Sequence, residues 1–315
     1  MDADETVAGL LEERTRLLAI GYRMLGSRAE AEDAVQDTYI RWYRMTDAER
    51  NAVRVPAAWL TTAMTRVCLN VLASARHRRE SYVGEWLPEP VRPHSSLGET
   101  AALVDPVEQA MRADELTMAL MVMLEALTPG ERVVFVLHDV FGYSFDDVAG
   151  IVGRTSQACR KLASTARRHI EEERRRGATV EQHRLVVESF ISACMTGDVA
   201  ALVARLDPDA VATSDGGGHV RAALRPIVGA DRVARFLLGG LNKSADLKAT
   251  LEEDAGETRL VLRRGDEVVG VASFEVVGDR ITQVWLMLNP TKLATWQKDV
   301  DEARHTSAPD PVEGA

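Results

Sequence analysis

The sequence predicts a multidomain protein. Two all-α helical segments, the second a helix-turn-helix, are followed by an α+β domain. Three observations carry that expectation. Apolar residues recur at helical spacing between capping signals as far as about residue 176. Within that stretch, residues 128–176 hold two short capped helices and a glycine turn ahead of a longer basic helix. Beyond residue 206 the pattern shifts to short alternating runs broken by glycine turns.

The first segment spans residues 1–85. Residues 5–25 read as an amphipathic helix with Leu10, Leu11, Leu17, Leu18, Tyr22 and Leu25 on its stripe and Gly26 as its stop. Ser27 with Glu30 forms a capping box that opens a helix from Ala29 to Arg44. Val35, Tyr39 and Trp42 fall on or near one face, while Asp33, Gln36, Asp37 and Arg41 lie around the rest. That polar side is either a solvated surface or a docking face. Pro56 starts a third long helix with Trp59, Leu60, Ala63, Val67, Val71 and Leu72 as core. Its last turns carry Arg76, Arg78 and Arg79, with Arg66 and Asn70 earlier. A favourable helix dipole explains an arginine in the last turn; it explains poorly three of them plus Arg66 and Asn70.

Residues 86–110 read as a linker. From Gly84 to Pro106 there are four prolines, with Ser, Gly and His between them. Trp86 and Leu87, in the run WLPEP with Pro88, are too apolar for an inert spacer. Helix resumes at Pro106, and Met118, Met121 and Met123 read as core.

The second segment is 111–177. Thr128 caps a helix, Pro129 suits its first position, Glu131 completes a box, and the apolar run from Val133 to Phe141 is buried before Gly142 ends it. Ser144 opens a short helix, Phe145 to Val152, that stops at Gly153. Thr155 caps the third. There Ala158, Leu162, Ala166 and Ile170 should bury one face. Gln157, Arg160, Lys161, Ser164, Arg167 and Arg168 are left outward. Residues 154–176 hold eight Arg or Lys against three Glu, in a chain whose net charge is −10. A local basic, hydrogen-bonding helix face inside an acidic protein points to major-groove reading with outside help to engage DNA.

Cys68, Cys159 and Cys194 are widely spaced and no Cys/His cluster has metal spacing, so neither zinc, disulfide nor other cofactor is expected. The acidic N-terminus lacks a signal-peptide core and no apolar run reaches the ~18 residues that span a membrane; the expected place is the cytoplasm.

The third domain, 178–298, begins with helices at 181–195 and ALVARL. Strand-like runs AVATSD and HVRAAL flank a Gly turn. A helix follows in GADRVARFLLGGL, then the strand-like stretches KATLEEDAG, ETRLVLRRG and DEVVGVASFEVVGDRITQVWLMLNP, with hairpins at Gly256, Gly265-Asp266 and Gly278-Asp279. Helices first and an antiparallel curved sheet last describe an α+β cone. The tail, 299–315, has five acids against one Arg and reads as disordered.

The run LTPGERVVFVLHDVFGYSFDDVAGIVG with TSQACRKLASTARR resembles the −35-reading domain of extracytoplasmic-function sigma factors. EDAVQDTYIRWYR resembles the helix by which these proteins grip the β′ clamp of RNA polymerase. AAWLTTAMTRVCLNVLASARHRRE resembles their −10-reading helix. Both matches stand in the family's order and at its separation. The resemblance implies an alternative sigma factor that docks on core polymerase (β′ clamp and β flap) and directs initiation at particular promoters. It places Asp33, Gln36, Asp37, Arg41 and Trp42 on polymerase, although Trp42 also suits the core. Arg66, Asn70, Arg76, Arg78 and Arg79 would meet the −10 element, and Gln157, Arg160, Lys161, Ser164, Arg167 and Arg168 the −35 element.

The third domain resembles the SnoaL-like branch of the nuclear-transport-factor-2 superfamily, and sigma factors of the sigma-J type carry such an extension together with WLPEP. They show Asp-Gly-Gly-Gly-Lys and Asn-Pro-Asp-Lys motifs. Here the loops read Asp215-Gly216-Gly217-Gly218-His219 and Asn289-Pro290-Thr291-Lys292, each departing by one residue. The resemblance gives Trp86, Leu87, Pro88, Asp215, Gly216, Gly217, Gly218, His219, Asn289 and Pro290 a regulatory, interdomain role and admits a small-molecule ligand in the cone. Some relatives are enzymes with an acid/base Asp, and Asp215 with His219 invites that comparison. One acid and one His beside a turn do not make a catalytic constellation, so no enzyme is expected. The competing expectation is a one-component, ligand-sensing helix-turn-helix regulator that binds an operator without polymerase.

Overall fold

The computed structural model describes residues 3–80, 82–90, 117–174, 178–241, 246–254 and 257–297. The expected linker beyond residue 90, the helical lead-in from Pro106, the Gly256 turn and the acidic tail lie outside them. The chain forms two compact units: residues 1–82, 87–91 and 102–177 make the first, and residues 83–86, 92–101 and 178–315 the second.

In the first unit, α1 (Ala3–Leu25) presents Leu17, Leu18, Ile20, Tyr22 and Met24, all almost fully buried. α2 (Arg28–Arg44) starts where Ser27 Oγ accepts the Glu30 N–H (3.4 Å). A short α3 (Asp47–Ala52) was not expected, although Thr46 and Glu49 close a full capping box ahead of it. α4 (Pro56–Glu80) follows, then α5 (Met118–Ala126) with Met118 and Met121 buried.

α6 (Pro129–Phe135) has the expected box between Thr128 and Glu131. The expected single helix through Phe141 instead widens into a π turn at Val136–Val140, where the Phe141 N–H reaches the Val136 carbonyl (3.1 Å). α7 (Phe145–Val152) ends at Gly153 in the left-handed conformation (φ 68°), a geometry that costs glycine little. α8 (Ser156–Arg174) is the long basic helix.

Its buried face is Cys159, Ala163, Ala166 and Ile170 rather than Ala158, Leu162, Ala166 and Ile170. The reason is geometric. Steps of four residues overshoot one turn of 3.6, so a straight stripe must include a step of three. Ala158 and Leu162 sit half-buried on its flank.

The helices expected as two separate segments share one core, a continuous cluster from Leu17 to Ile170. α4 packs against both α6 and α7. Arg132, 3% exposed, ties α6 to the end of α1. Its Nη1 donates to the Met24 carbonyl (2.9 Å) and to Glu125 Oε1 (2.6 Å). Arg16 of α1 hydrogen-bonds Thr61 of α4 (2.9 Å) and the Tyr143 hydroxyl in the α6–α7 connection.

The second unit opens with α9 (Val180–Thr196) and α10 (Val199–Arg205). β1 (Leu206–Asp215), the two-residue β2 (Ile227–Val228), α11 (Ala230–Leu241), β3 (Leu247–Asp254), β4 (Glu257–Arg264), β5 (Glu267–Val277) and β6 (Arg280–Met287) follow. The strand order is β2-β1-β6-β5-β4-β3. The sheet is not wholly antiparallel as expected: β1 runs parallel to β6. The run His219–Leu224 is not a strand. The Gly216–Gly218 turn precedes it, and its Ala223 N–H bonds the Ser214 hydroxyl (2.9 Å) instead of a ladder carbonyl. The core lies between the helices and the sheet, with Phe190 of α9 edge-on to Phe274 of β5 at 5.8 Å.

Candidate functional site

The outward face of α8 is built by its own periodicity. Once Cys159, Ala163, Ala166 and Ile170 are buried, Gln157, Arg160, Lys161, Ser164 and Arg168 stand exposed on the opposite side. Arg160 lies over the Phe145 ring (5.4 Å to its centroid), which orders the guanidinium without neutralising it. Arg167 differs. It is half-buried, and its Nε pairs with Asp139 of the π turn at 2.5 Å.

On α4, Arg66 and Asn70 are exposed and four residues apart, hence on one face. The side chains of Arg76, Arg78 and Arg79 lie outside the described residues.

On α2, Asp33, Gln36, Asp37 and Arg41 are exposed. Trp42 is less exposed than these four. It is half-buried, with its ring centroid 5.2 Å from that of Trp59, so packing accounts for it. Ile40 (38% exposed) and Tyr43 (64%) add apolar area to the same face. Their signal was present: both fall outside the buried Ala31, Ala34, Val35 and Thr38 stripe.

The WLPEP run divides between the units. Leu87 (3% exposed), Pro88, Glu89 and Pro90 are buried in the first. The Glu89 N–H donates to the Gly26 carbonyl (2.8 Å), its carboxylate accepts the Arg28 N–H (2.8 Å), and its carbonyl accepts the Tyr22 hydroxyl. Trp86 belongs to the second unit, where the Lys292 ammonium sits 4.0 Å from its ring centroid.

Lys292 is the centre of a buried cluster. Its Nζ lies 2.7 Å from Asp215 Oδ2, and Asp215 is 0% exposed at the end of β1. Asp215 Oδ1 accepts the Gly217 N–H (3.0 Å) and its carbonyl accepts the Leu288 N–H (2.8 Å). Buried Asn289 accepts from the Thr291 N–H (3.0 Å) and hydroxyl (2.8 Å), which turns the chain so that Lys292 points back. Gly217 is held at φ 60°, and a Cβ there would come within 2.3 Å of Asn289 Nδ2. The two glycine- and asparagine-led loops are therefore one packed object. His219 and Pro290 are exposed at its edge. Asp215 and His219 do not form an acid/base pair; Asp215 pairs with Lys292 instead. The Asn289–Lys292 motif alone gives no sign that Lys292 turns back onto Asp215.

These surfaces define a class before any relative is considered: a protein with two outward polar helix faces and a helix-turn-helix on one core, joined to an α+β domain. Residues 10–78 match the family model for Sigma-70 region 2 and residues 117–170 that for Sigma-70, region 4. The chain is 40% identical over 228 residues to the ECF RNA polymerase sigma factor SigJ of Mycobacterium tuberculosis, covering 72% of this chain and 70% of that protein. It is 32% identical over 292 residues to the probable ECF RNA polymerase sigma factor SigI of the same species, covering 92% and 95%. The crystal structure of Mycobacterium tuberculosis extracytoplasmic function sigma factor SigJ superposes with a TM-score of 0.69 at 31% identity, over 91% of this chain and 98% of that one.

The chain belongs to the ECF RNA polymerase sigma factors. It is an alternative sigma factor with a SnoaL-like extension. Core RNA polymerase and promoter DNA are its partners, and a regulator acting without polymerase is not favoured. Among the described residues no helix is long and apolar enough to cross a membrane.

Proposed function

We propose that the extension regulates initiation through the linker. The observation that carries this reading is the Asp215–Lys292–Trp86 cluster, in which the buried Lys292 of an ion pair lies over Trp86, the first residue of the linker. Leu87 to Pro90, the next residues, are held at the α1–α2 turn. Any partner that must displace the linker competes with both anchors. Such control resides in the same chain and works at high effective concentration. The extension acts by binding, not turnover, because its buried acid is paired and its nearby His is exposed. Run-off transcription with core polymerase tests this: full-length protein and a version ending at Gly177 should differ in promoter output. Identical output under all conditions would remove the regulatory role.

In this reading Asp33, Gln36, Asp37 and Arg41, with Ile40 and Tyr43, dock on the β′ clamp. Arg66 and Asn70, with Arg76, Arg78 and Arg79, meet the −10 element. On α8, Arg160 and Lys161 read bases, with Gln157 and Ser164 beside them. Arg168 meets phosphate, and Arg167 does so only by leaving Asp139. Replacing Arg160 or Lys161 by Ala should cost about 1–3 kcal/mol of promoter binding by holoenzyme and relax choice at one base position. Arg168→Ala should instead weaken all promoters alike and flatten the salt dependence. Unchanged promoter strength and choice in both Arg160→Ala and Lys161→Ala would refute the base-reading assignment.

A further inference from the structure

The second unit contains a cavity of about 380 Å³ between α9, α11 and the inner face of the sheet. It is more than twice the roughly 150 Å³ of an apolar cavity that admits benzene, and within the ~300–1,000 Å³ range of ligand pockets. Its walls are apolar: Phe190 from α9, Phe236 from α11, and Leu260, Leu262, Phe274 and Val284 from the strands. Cys194 is in the wall, but burial pushes its thiol up to about 12, so it stays protonated and is no nucleophile. Most of the wall is apolar, so apolar matter gains most by entering it.

Charge is confined to Arg221, Arg264 and Glu267. Arg264 pairs with Asp246 (2.9 Å), and Glu267 stands opposite it in register across the β4–β5 turn. Arg221 is exposed and has no ion pair among the described residues. A guanidinium left unanswered beside an apolar chamber suits a carboxylate-like group, which it can bind through two parallel hydrogen bonds.

We propose that this cavity binds a small, predominantly apolar molecule with one anionic end, the apolar body between α9, α11 and the sheet and the anion at Arg221. The lining also includes Val220, Leu288, Pro290 and Leu293, which flank the Asp215–His219 loop and the Asn289–Lys292 turn. An occupant therefore rests on the two segments that make the Lys292 cluster. The binding claim does not depend on the regulatory reading, and its test measures binding alone.

The full-length chain is titrated with 1-anilinonaphthalene-8-sulfonate, and decanoate or decanol is then used to displace it. Saturable binding is expected, with decanoate competing at least about tenfold more strongly than decanol. Arg221→Ala should erase that preference and leave decanol unaffected. Gly240→Trp should weaken dye binding more than about tenfold. Gly240 lines the cavity, and a Cβ added there meets nothing within 4 Å. Equal competition by decanoate and decanol in the wild-type chain overturns the anionic end. Unchanged dye binding in a folded Gly240→Trp chain puts the dye elsewhere and overturns the site. Should that variant fail to fold, the surface change Arg221→Ala decides, together with the thermal shift of the wild-type chain. No stabilisation by decanoate overturns the proposal.

Discussion

Replacing Lys292 by Ala should destabilise the second unit by about 3–5 kcal/mol. The variant takes the Lys292 ammonium from Asp215, which is fully buried, and removing one side of a buried ion pair costs about that much. Lys292→Ala also removes the cation from the Trp86 ring. The measurement is a urea titration of the full chain followed by a signal from the second unit. Asp215→Asn combined with Lys292→Met should recover most of the loss, since neither charge then remains. If Lys292→Ala unfolds with the wild-type midpoint, the pair contributes no stability and the cluster is not the anchor described above.

Arg132→Ala should have an effect of similar size on the first unit, about 3–5 kcal/mol. Arg132 is 3% exposed and serves both Glu125, itself mostly buried, and the Met24 carbonyl near the end of α1. Without it Glu125 loses the 2.6 Å ion pair, and a terminal carbonyl of α1 loses a donor. Arg132→Lys keeps the charge but ends in a compact ammonium of different shape and reach, so only part of the loss should return. The check is the urea midpoint of the helical signal. A loss below about 1 kcal/mol in Arg132→Ala would mean that packing alone joins α6 to α1.

What the sequence could show was whatever its neighbours decide. Thr128 with Glu131, Ser144 with Asp147, and Gly153 fix the helix-turn-helix by local capping, so those bounds were legible. Exposure of Arg66, Asn70 and Arg160 followed from helical period. The parallel pairing of β1 with β6 was not legible. Alternation tells which face a strand buries, not its direction, and some 70 residues separate Ala212 from its partner Val284. The Lys292–Asp215 pair spans a comparable gap, and neither loop's motif shows that the two close on each other. Trp42 was ambiguous because an aromatic at the edge of a stripe suits a core or a partner equally, and its contact with Trp59 depends on a helix that its own neighbours do not specify. The π turn left no signal in a run where Val133 to Val140 fits a simple helix.

Glu89 has a further consequence for α2. Its carboxylate accepts the first helical N–H of α2, at Arg28, from 61 residues away. A negative group at a helix start is worth about 0.3–1 kcal/mol through the dipole, and a lost cap typically costs about 1 kcal/mol. The helix that carries Asp33, Asp37 and Tyr43 thus has its leading edge tuned from outside its own sequence. Lifting the proline-rich strap would soften that edge before any surface residue changed.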